Sequence, residues 1–241
     1  MATVTLSPGR RPYRRGVDPF ADPDRDMTRT LSEAESKKLL ATYGLPILDE
    51  RTVKTGSGAV EASGAIGYPC VLKLCGDGIA HKTERNLVRL SLGSASEVDR
   101  AAQELLGQAT DDDGDVELLV APMIRATREF IVGADRTGDF GPVVMVGVGG
   151  VFAEALEDVV FRLLPAKEHE LNTMLDDLDT QALLGEFRGE PEVDRSQLLA
   201  VIEAVGSAMI DRDDIESIDI NPVLIADGRA VAVDALVAMR S

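Results

Sequence analysis

This sequence predicts an α+β protein of two lobes, and three observations carry the prediction. Strand-like and helix-like segments are mixed along 241 residues without the regular alternation that builds a doubly wound parallel sheet. A strand-rich middle, residues 116–163, separates a helix-containing first part from two later helices. The chain then closes on a hairpin, residues 217–237, whose apolar strands flank the turn pair Asp227-Gly228. An apolar share of 44% supports a real core in a chain of this length, as one large domain or two small ones.

Residues 1–29 carry Arg10, Arg11, Arg14 and Arg15 among prolines and aspartates with no apolar period, and are expected to form a disordered or loosely packed arm. The first lobe is expected over 30–117 and the second over 118–241. Ser32 followed by Glu35 reads as a capping box; the helix runs through Leu39, Leu40 and Tyr43 and stops at Gly44 and Pro46. A short helix at 60–66 ends at Gly67, residues 70–74 read as a buried strand, and 87–92 as its alternating neighbour across a polar loop. Ser96 reads as the cap of a helix reaching Leu106, and the acidic run 111–115 as a solvated link, since nothing spaces it as a calcium loop. Strands follow at 116–121, 128–134, 142–148 and 159–163, with a turn at Thr137-Gly138. Helices return at 167–175 and from Asp194, with Gln197 at the third helical position, to about Ile210.

The net charge of −17 argues against a nucleic-acid or anionic-membrane surface, which needs a basic field. Cys70 and Cys75 lie in or beside an apolar strand and read as core thiols. No apolar run is long enough to span a bilayer and no signal-peptide core is seen, so the expectation is a cytoplasmic protein whose partners are small molecules or other proteins.

The chemistry concentrates in five places. In the closing hairpin, period-two alternation puts Asp219 and Asn221 on one face, and the Asp227-Gly228 turn brings Asp234 toward it. A carboxylate among apolar strands has to be paired, hydrogen-bonded or bound to a cation, and three hard oxygen donors suit Mg²⁺ carried by a nucleotide. Lys73, inside Cys-Val-Leu-Lys-Leu, points away from the Leu72–Leu74 face; such a lysine can meet a phosphate, although a solvent-facing lysine on a half-buried strand is the commoner case. The loop from Gly76 through Gly78, His81 and Lys82 to Arg85 is dense in phosphate-compatible groups, with His81 its one nucleophile; His169 sits among glutamates on a helix and reads as surface. Gly147-Val148-Gly149-Gly150 suggests backbone approaching a ligand closely or a tight structural turn, and is not a dinucleotide fingerprint. Glu154, Asp158 and Arg162 would form an ion-pair ladder on a helix, but Val159-Val160 favours an extended path at least equally.

Several strings in register give the chain a family resemblance. They are Lys-Lys-Leu-Leu with Tyr-Gly-Leu-Pro (37–46), Gly-Tyr-Pro-Cys-Val-Leu-Lys (67–73), His81-Lys82-Thr83-Glu84, Arg-Glu-Phe-Ile-Val-Gly (128–133), Phe-Gly-Pro-Val-Val-Met (140–145), Phe-Arg-Leu-Leu-Pro (161–165) and Asp-Ile-Asn-Pro (219–222). Across roughly residues 31–238 the chain resembles the ATP-grasp beta subunit of the ADP-forming acyl-CoA synthetases, the acetate–CoA ligases.

The resemblance implies an ATP-grasp fold, two α+β lobes with ATP or ADP bound between them. It implies Lys73, Gly78 and Lys82 near the phosphates, a hinge at Val120-Ala121-Pro122-Met123-Ile124 carrying adenine on its backbone, Glu129 near the ribose, and Gly149 and Gly150 against the ligand. Asn221 and Asp234, with Asp219 close by, match the family's Mg²⁺ ligands, and His81 falls where the family relays a phosphoryl group. The partner implied is a CoA-binding alpha subunit in a hetero-oligomer that interconverts acyl-CoA, ADP and phosphate with carboxylic acid, CoA and ATP. One departure stands out: Asn86-Leu87 replaces the pair of glycines usual in the family, a bulkier and less flexible stretch. A stand-alone ATP-grasp ligase working through an acyl phosphate, or a nucleotide-sensing subunit without turnover, are the alternatives.

Overall fold

Ser32 opens the first described helix by a reciprocal cap, its hydroxyl accepting from the Glu35 N–H while the Glu35 carboxylate takes the Ser32 N–H. This helix, α1 (Glu33–Ala41), belongs to a computed structural model that describes residues 29–79, 82, 85–150 and 156–240. Two sheets, antiparallel throughout, organise the rest. The smaller takes β2 (Arg51–Val53), β3 (Cys70–Cys75), β4 (Val88–Leu92) and β5 (Glu117–Pro122) in the order β2-β5-β3-β4. The larger takes β1 (Arg29–Thr30), β6 (Arg128–Asp135), β7 (Val143–Val148), β8 (Val159–Leu163), β9 (Ile215–Ala226), β10 (Arg229–Ala232) and β11 (Leu236–Met239), in the order β1-β11-β9-β6-β7-β8 with β10 also on β9.

Each sheet buries one face under helices. On the small sheet, α2 (Gly56–Ile66) and α3 (Ala95–Leu106) bring Ala59, Ala62, Val98 and Leu105 onto Leu72, Leu74, Leu118 and Val120. On the large sheet, α4 (Glu168–Asp176) and the long α5 (Arg195–Asp211) bring Met174, Ile202, Val205 and Met209 onto Phe130, Val132, Val146 and Ile218. Both cores follow period-two burial in the strands and a 3.6-residue stripe in the helices.

The boundary between lobes differs from the expectation. Residues 29–47 belong with the large lobe: Arg29 and Thr30 pair with Met239 and Ala238, Leu40 and Leu45 enter the large core, and Ile47 bridges Ala232. The small sheet occupies 51–122, because β5 stays paired with β3 as far as Pro122 opposite Cys70. The chain therefore starts in the large lobe, crosses to the small one and returns, which is why α1 can reach the face between them.

Local corrections have simple causes. Ser94, not Ser96, caps α3: its backbone is extended and its hydroxyl accepts from Glu97 N–H, the three-residue spacing a cap requires. The helix expected at 60–66 starts four residues earlier, at Gly56, because Thr55 caps it through Gly58 N–H. The acidic run is not a solvated link throughout; Asp111–Asp113 form one turn of 3₁₀ helix, and Asp113 is buried, held by Arg85 at 2.5 and 3.0 Å and by Thr110. Asp158 and Arg162 lie on an extended path, as Val159-Val160 suggested: Asp158 accepts from the Asp179 and Thr180 N–H groups, and Arg162 pairs with Asp177. Glu154 and the arm before Arg29 lie outside the described residues.

The closing hairpin turns at Asp227-Gly228, both with positive φ (49° and 78°), the two-residue geometry that matches strand twist. Its return strand is interrupted. β10 pairs with residues 223–226 of β9 and β11 with 215–219, so residues 233–235 pass the middle of β9 between the two ladders. Opposite that gap the β6 register slips by one residue between Phe130 and Val132. Ile218 and Ile220 point into the core before the slip and Val223 and Ile225 after it, which leaves Asn221 exposed on the other side.

Candidate functional site

The faces of the two sheets not covered by helices meet at a cleft of about 580 Å³, within the range of small-molecule sites. Strand alternation decides what lines it. In β3, Leu72 and Leu74 enter the small core, while Val71 and Lys73 face the cleft. In β5, Val120 is fully buried in the small core and does not line the cleft, whereas Ala121 does, followed by Pro122, Met123 and Ile124. Within that segment the Met123 N–H donates to the Pro69 carbonyl at 3.1 Å, and Pro122 has none to offer. From the large lobe come Glu129, Asn221 and Asp234.

Asp219 is on the same side of β9 as Asn221 but further along, opposite Gly133 and Leu236 and away from the cleft lining. The structure thus brings together Asn221 and Asp234 and not all three oxygen residues, because β10 gives way to β11 beside the 220–222 stretch. Among the described residues no group of three or more His, Cys, Asp or Glu is spaced to hold a metal. A cation here would have one carboxylate and one amide from the protein, a hard oxygen set that fits Mg²⁺ only when a ligand's oxygens and water complete the shell.

The glycines serve the protein's own packing. A Cβ on Gly78 would stand 2.0 Å from the Asp112 carbonyl oxygen, so this residue docks its loop on the acidic turn and is not part of the cleft lining. Gly149 donates its N–H to the Glu129 carbonyl at 2.7 Å, and Gly150 (φ 78°) brings its backbone to within reach of the Glu129 carboxylate. A side chain at either position would crowd Glu129. Asn86 lines the cleft with φ 57°, the left-handed conformation that asparagine tolerates better than other non-glycine residues. Its neighbour Leu87 is buried in the small core and donates its N–H to the Lys82 carbonyl at 2.8 Å. The departure at Asn86-Leu87 therefore keeps a glycine-like backbone and adds a core anchor. His81 lies outside the described residues.

Behind Lys73 and Asp234 of the cleft wall lies a buried charged cluster that the sequence reading missed. Glu33, at the start of α1, is 1% exposed and meets three lysines. Its Oε1 accepts from Lys37 Nζ at 2.8 Å and Lys73 Nζ at 2.7 Å, and its Oε2 lies 3.1 Å from Lys82 Nζ. Lys37 continues to Glu50 at 2.6 Å, Lys82 to Asp234 at 3.2 Å, and Lys73 to the Val233 carbonyl at 2.7 Å. Three ammonium groups thus face three carboxylates. Lys73 is buried rather than solvent-facing, because the large lobe covers its side of β3. The i,i+4 pair Glu33–Lys37 was visible in the sequence; that it would join Lys73 and Lys82 depends on the fold of α1 onto the other lobe.

Burial and pairing compete in this cluster. Burial alone would raise the Glu33 carboxyl, but Lys73, Lys37 and Lys82 outweigh it and hold the group well below the usual carboxylate range. Burial would lower Lys82, yet Asp234 and then Glu33 push it above the ordinary ammonium value. Lys37 is raised in the same way by Glu33 and Glu50 against burial. Burial raises Glu50 despite Lys37. The Cys75 thiol is pushed up by burial first and by Glu33 second, which makes it an inert core group. Such a network is costly to bury and costly to break, since losing one partner strands a charge.

Comparison with known proteins is consistent over most of the chain. Residues 24–239 match the family described as ATP-grasp domain. The beta subunit of ADP-forming acetate–CoA ligase I from Pyrococcus furiosus is 34% identical over 210 residues, covering 86% of this chain and 90% of that protein. The ADP-forming 4-hydroxybutyrate–CoA ligase of Nitrosopumilus maritimus is 32% identical over 86% of this chain, but the match spans only 30% of that longer protein. Among solved structures, the dinucleotide-forming acetyl-coenzyme A synthetase 1 of Ca. Korarchaeum cryptofilum, in complex with coenzyme A, Ca-AMPCP and HgCl⁺, superposes with a TM-score of 0.80 at 32% identity, covering 88% of this chain and 94% of that one. The same enzyme with coenzyme A and Mg-AMPPCP, its phosphohistidine segment pointing towards the nucleotide binding site, gives a TM-score of 0.74 at 34% identity over 88% of this chain and 93% of that one. No helix among the described residues is long and apolar enough to cross a membrane.

Proposed function

This chain belongs to the ATP-grasp beta subunits of the ADP-forming acyl-CoA ligases, and we propose that it holds ATP or ADP between its two sheets and passes a phosphoryl group through His81 to and from a CoA-binding partner subunit. The observation that carries this reading is one cleft lined together by Lys73 from the small sheet, Asn221 and Asp234 from the large one, and the 121–125 segment joining them. The base would lie along that segment. Because Pro122 has no N–H and Met123 donates to Pro69, the N–H donors for adenine would come from Ile124 and Arg125.

The triphosphate would run toward Lys73, whose ammonium is a point charge for an equatorial oxygen, with Lys82 behind it. Asn221 and Asp234 would hold Mg²⁺, which supplies charge neutralisation on the nucleotide phosphates. Asp234 now meets Lys82 at 3.2 Å, a pairing that a cation would replace. Glu129, with Gly149 and Gly150 against it, stands at the cleft wall where a ribose would pass.

The overall reaction is acyl-CoA + ADP + phosphate to carboxylic acid + CoA + ATP, and its reverse. A neutral His81 imidazole nitrogen would attack phosphorus, forming an N–P bond as the partner's phosphoryl donor leaves, and would then yield the group to the terminal oxygen of ADP. A partner polypeptide is supported by the relatives themselves, which occur both as a beta subunit matched over 90% and as a longer chain matched over 30%. The test is labelling of the full chain with its partner subunit, using acyl-CoA and labelled phosphate or, in reverse, γ-labelled ATP. Acid-labile, base-stable label is expected on this chain, lost in His81→Ala and kept in His169→Ala. Turnover without label, or full turnover by His81→Ala, sinks the relay.

A further inference from the structure

We propose that Glu33 is a positioning residue for the phosphate end of the cleft, holding Lys73 and Lys82 in place across the two lobes. This rests on the nucleotide reading above and adds to it a residue that touches no ligand. Lysine has three ammonium protons. Glu33 Oε1 and the Val233 carbonyl, both at 2.7 Å, take two of those on Lys73, and Asp234 Oδ2 at 3.9 Å is too far to take the third. Lys73 lines the cleft, so the remaining proton is available to an anion there.

The two holders of Lys73 come from the large lobe, while Lys73 itself is on the small sheet. α1 packs on the large sheet through Leu40, so Glu33 carries the geometry of one lobe to the cation of the other. Asp234 is the other carboxylate on Lys82, at 3.2 Å. Once Asp234 turns to a bound cation, Glu33 is the carboxylate left to hold Lys82 and Lys73 apart at their stations. A full charge is needed for that task. Net charge alone argues the opposite sign: neutralising Glu33 makes the cluster more positive and would tighten ATP by attraction, so the direction of the effect separates positioning from mere charge balance.

The experiment is calorimetry of Mg-ATP and of adenosine on the full chain as wild type, Glu33→Gln, Glu33→Asp, Lys73→Met and the Glu33→Gln/Lys73→Met double variant, with circular dichroism as the folding control. Glu33→Gln is expected to weaken Mg-ATP by roughly tenfold or more while leaving adenosine within about twofold. The double variant is expected to lose less than the two single losses combined, since with Lys73 gone only the Lys82 part of the Glu33 effect remains. Glu33→Asp should recover part of the loss. Tighter ATP binding in Glu33→Gln overturns the proposal, as do equal losses for ATP and adenosine or additive losses in the double variant. If neither Glu33 variant folds, Glu33 is a requirement of the fold and the proposal falls. A wild type that binds no nucleotide removes the underlying reading as well, whereas normal wild-type binding with an indifferent Glu33→Gln removes only this one.

Discussion

β3 and β8 share a local pattern, Leu72-Lys73-Leu74 in one and Phe161-Arg162-Leu163 in the other, yet the fold buries them in opposite ways. In β3 both leucines are fully buried and the lysine is only 8% exposed. In β8 Phe161 is 50% and Leu163 57% exposed, while Arg162 turns toward α4 and pairs with Asp177. β3 is an inner strand with helices on one face and the other lobe on the second; β8 is the edge of the large sheet, with only its Val160 face packed on the core. Alternation states that two faces differ. What covers each face is settled by elements far away in sequence.

The largest expected effect tests that contrast through stability. Leu72→Ala should cost about 2–5 kcal/mol in denaturant unfolding, from lost transfer energy plus a cavity under α2 and α3, whereas Phe161→Ala should cost about 1 kcal/mol or less, because half of the ring is already in water. A Phe161→Ala loss matching that of Leu72→Ala would mean that the outer face of β8 is covered in solution.

The next separates the two cations. Lys73→Met should weaken Mg-ATP by about tenfold to a hundredfold, the range for a hydrogen bond to a charged group, and Arg162→Met should leave it unchanged, since its guanidinium is engaged with Asp177 on the far edge of the sheet. Equal effects of the two would break the assignment of the cleft.

The smallest concerns pH and two arginine–carboxylate pairs, Arg85–Asp113 in the small lobe and Arg162–Asp177 beside β8. The hydrogen bond from Arg85 is the main cause that holds the Asp113 carboxyl at about 2, below its ordinary 3.8, with Thr110 adding to it. A lowered carboxyl contributes stability that is complete above its unfolded value and lost as pH falls through the folded one. Wild type should therefore exceed Asp113→Asn in unfolding midpoint at neutral pH, and the gap should close between about pH 4 and pH 2. A gap that persists below pH 2 would show that the Asp113 carboxyl contributes by shape and not by charge. Asp177→Asn, at an exposed pair, should shift the midpoint little at neutral pH.

Much of the architecture was legible. The capping box at Ser32, the boundaries of 159–163, the hairpin turn at Asp227-Gly228 and the lack of α/β alternation all come from local chemistry, which neighbours in sequence determine. The strings from 37 to 222 also carried the family, since seven short motifs in register constrain a chain more tightly than any one of them. Several site readings were legible only in part. Asn221, Asp234, Lys73, Glu129 and the hinge do share one cleft, but Val120 and Asp219 do not line it, and Gly78 packs on Asp112. What each of these side chains meets depends on elements distant in sequence: α2 and α3 cover Val120, β11 passes Asp219, and the acidic turn receives Gly78.

Local sequence thus determined which residues form helices, strands and turns, because capping, alternation and turn conformations act within a few residues. Tertiary structure alone decided that α1 leaves its expected lobe, that Glu33 gathers Lys37, Lys73 and Lys82, and that Lys73 is buried rather than solvated. The physical reason is that a buried charge is tolerable only where opposite charges from several segments converge, and convergence is a property of the packed chain that no single segment contains.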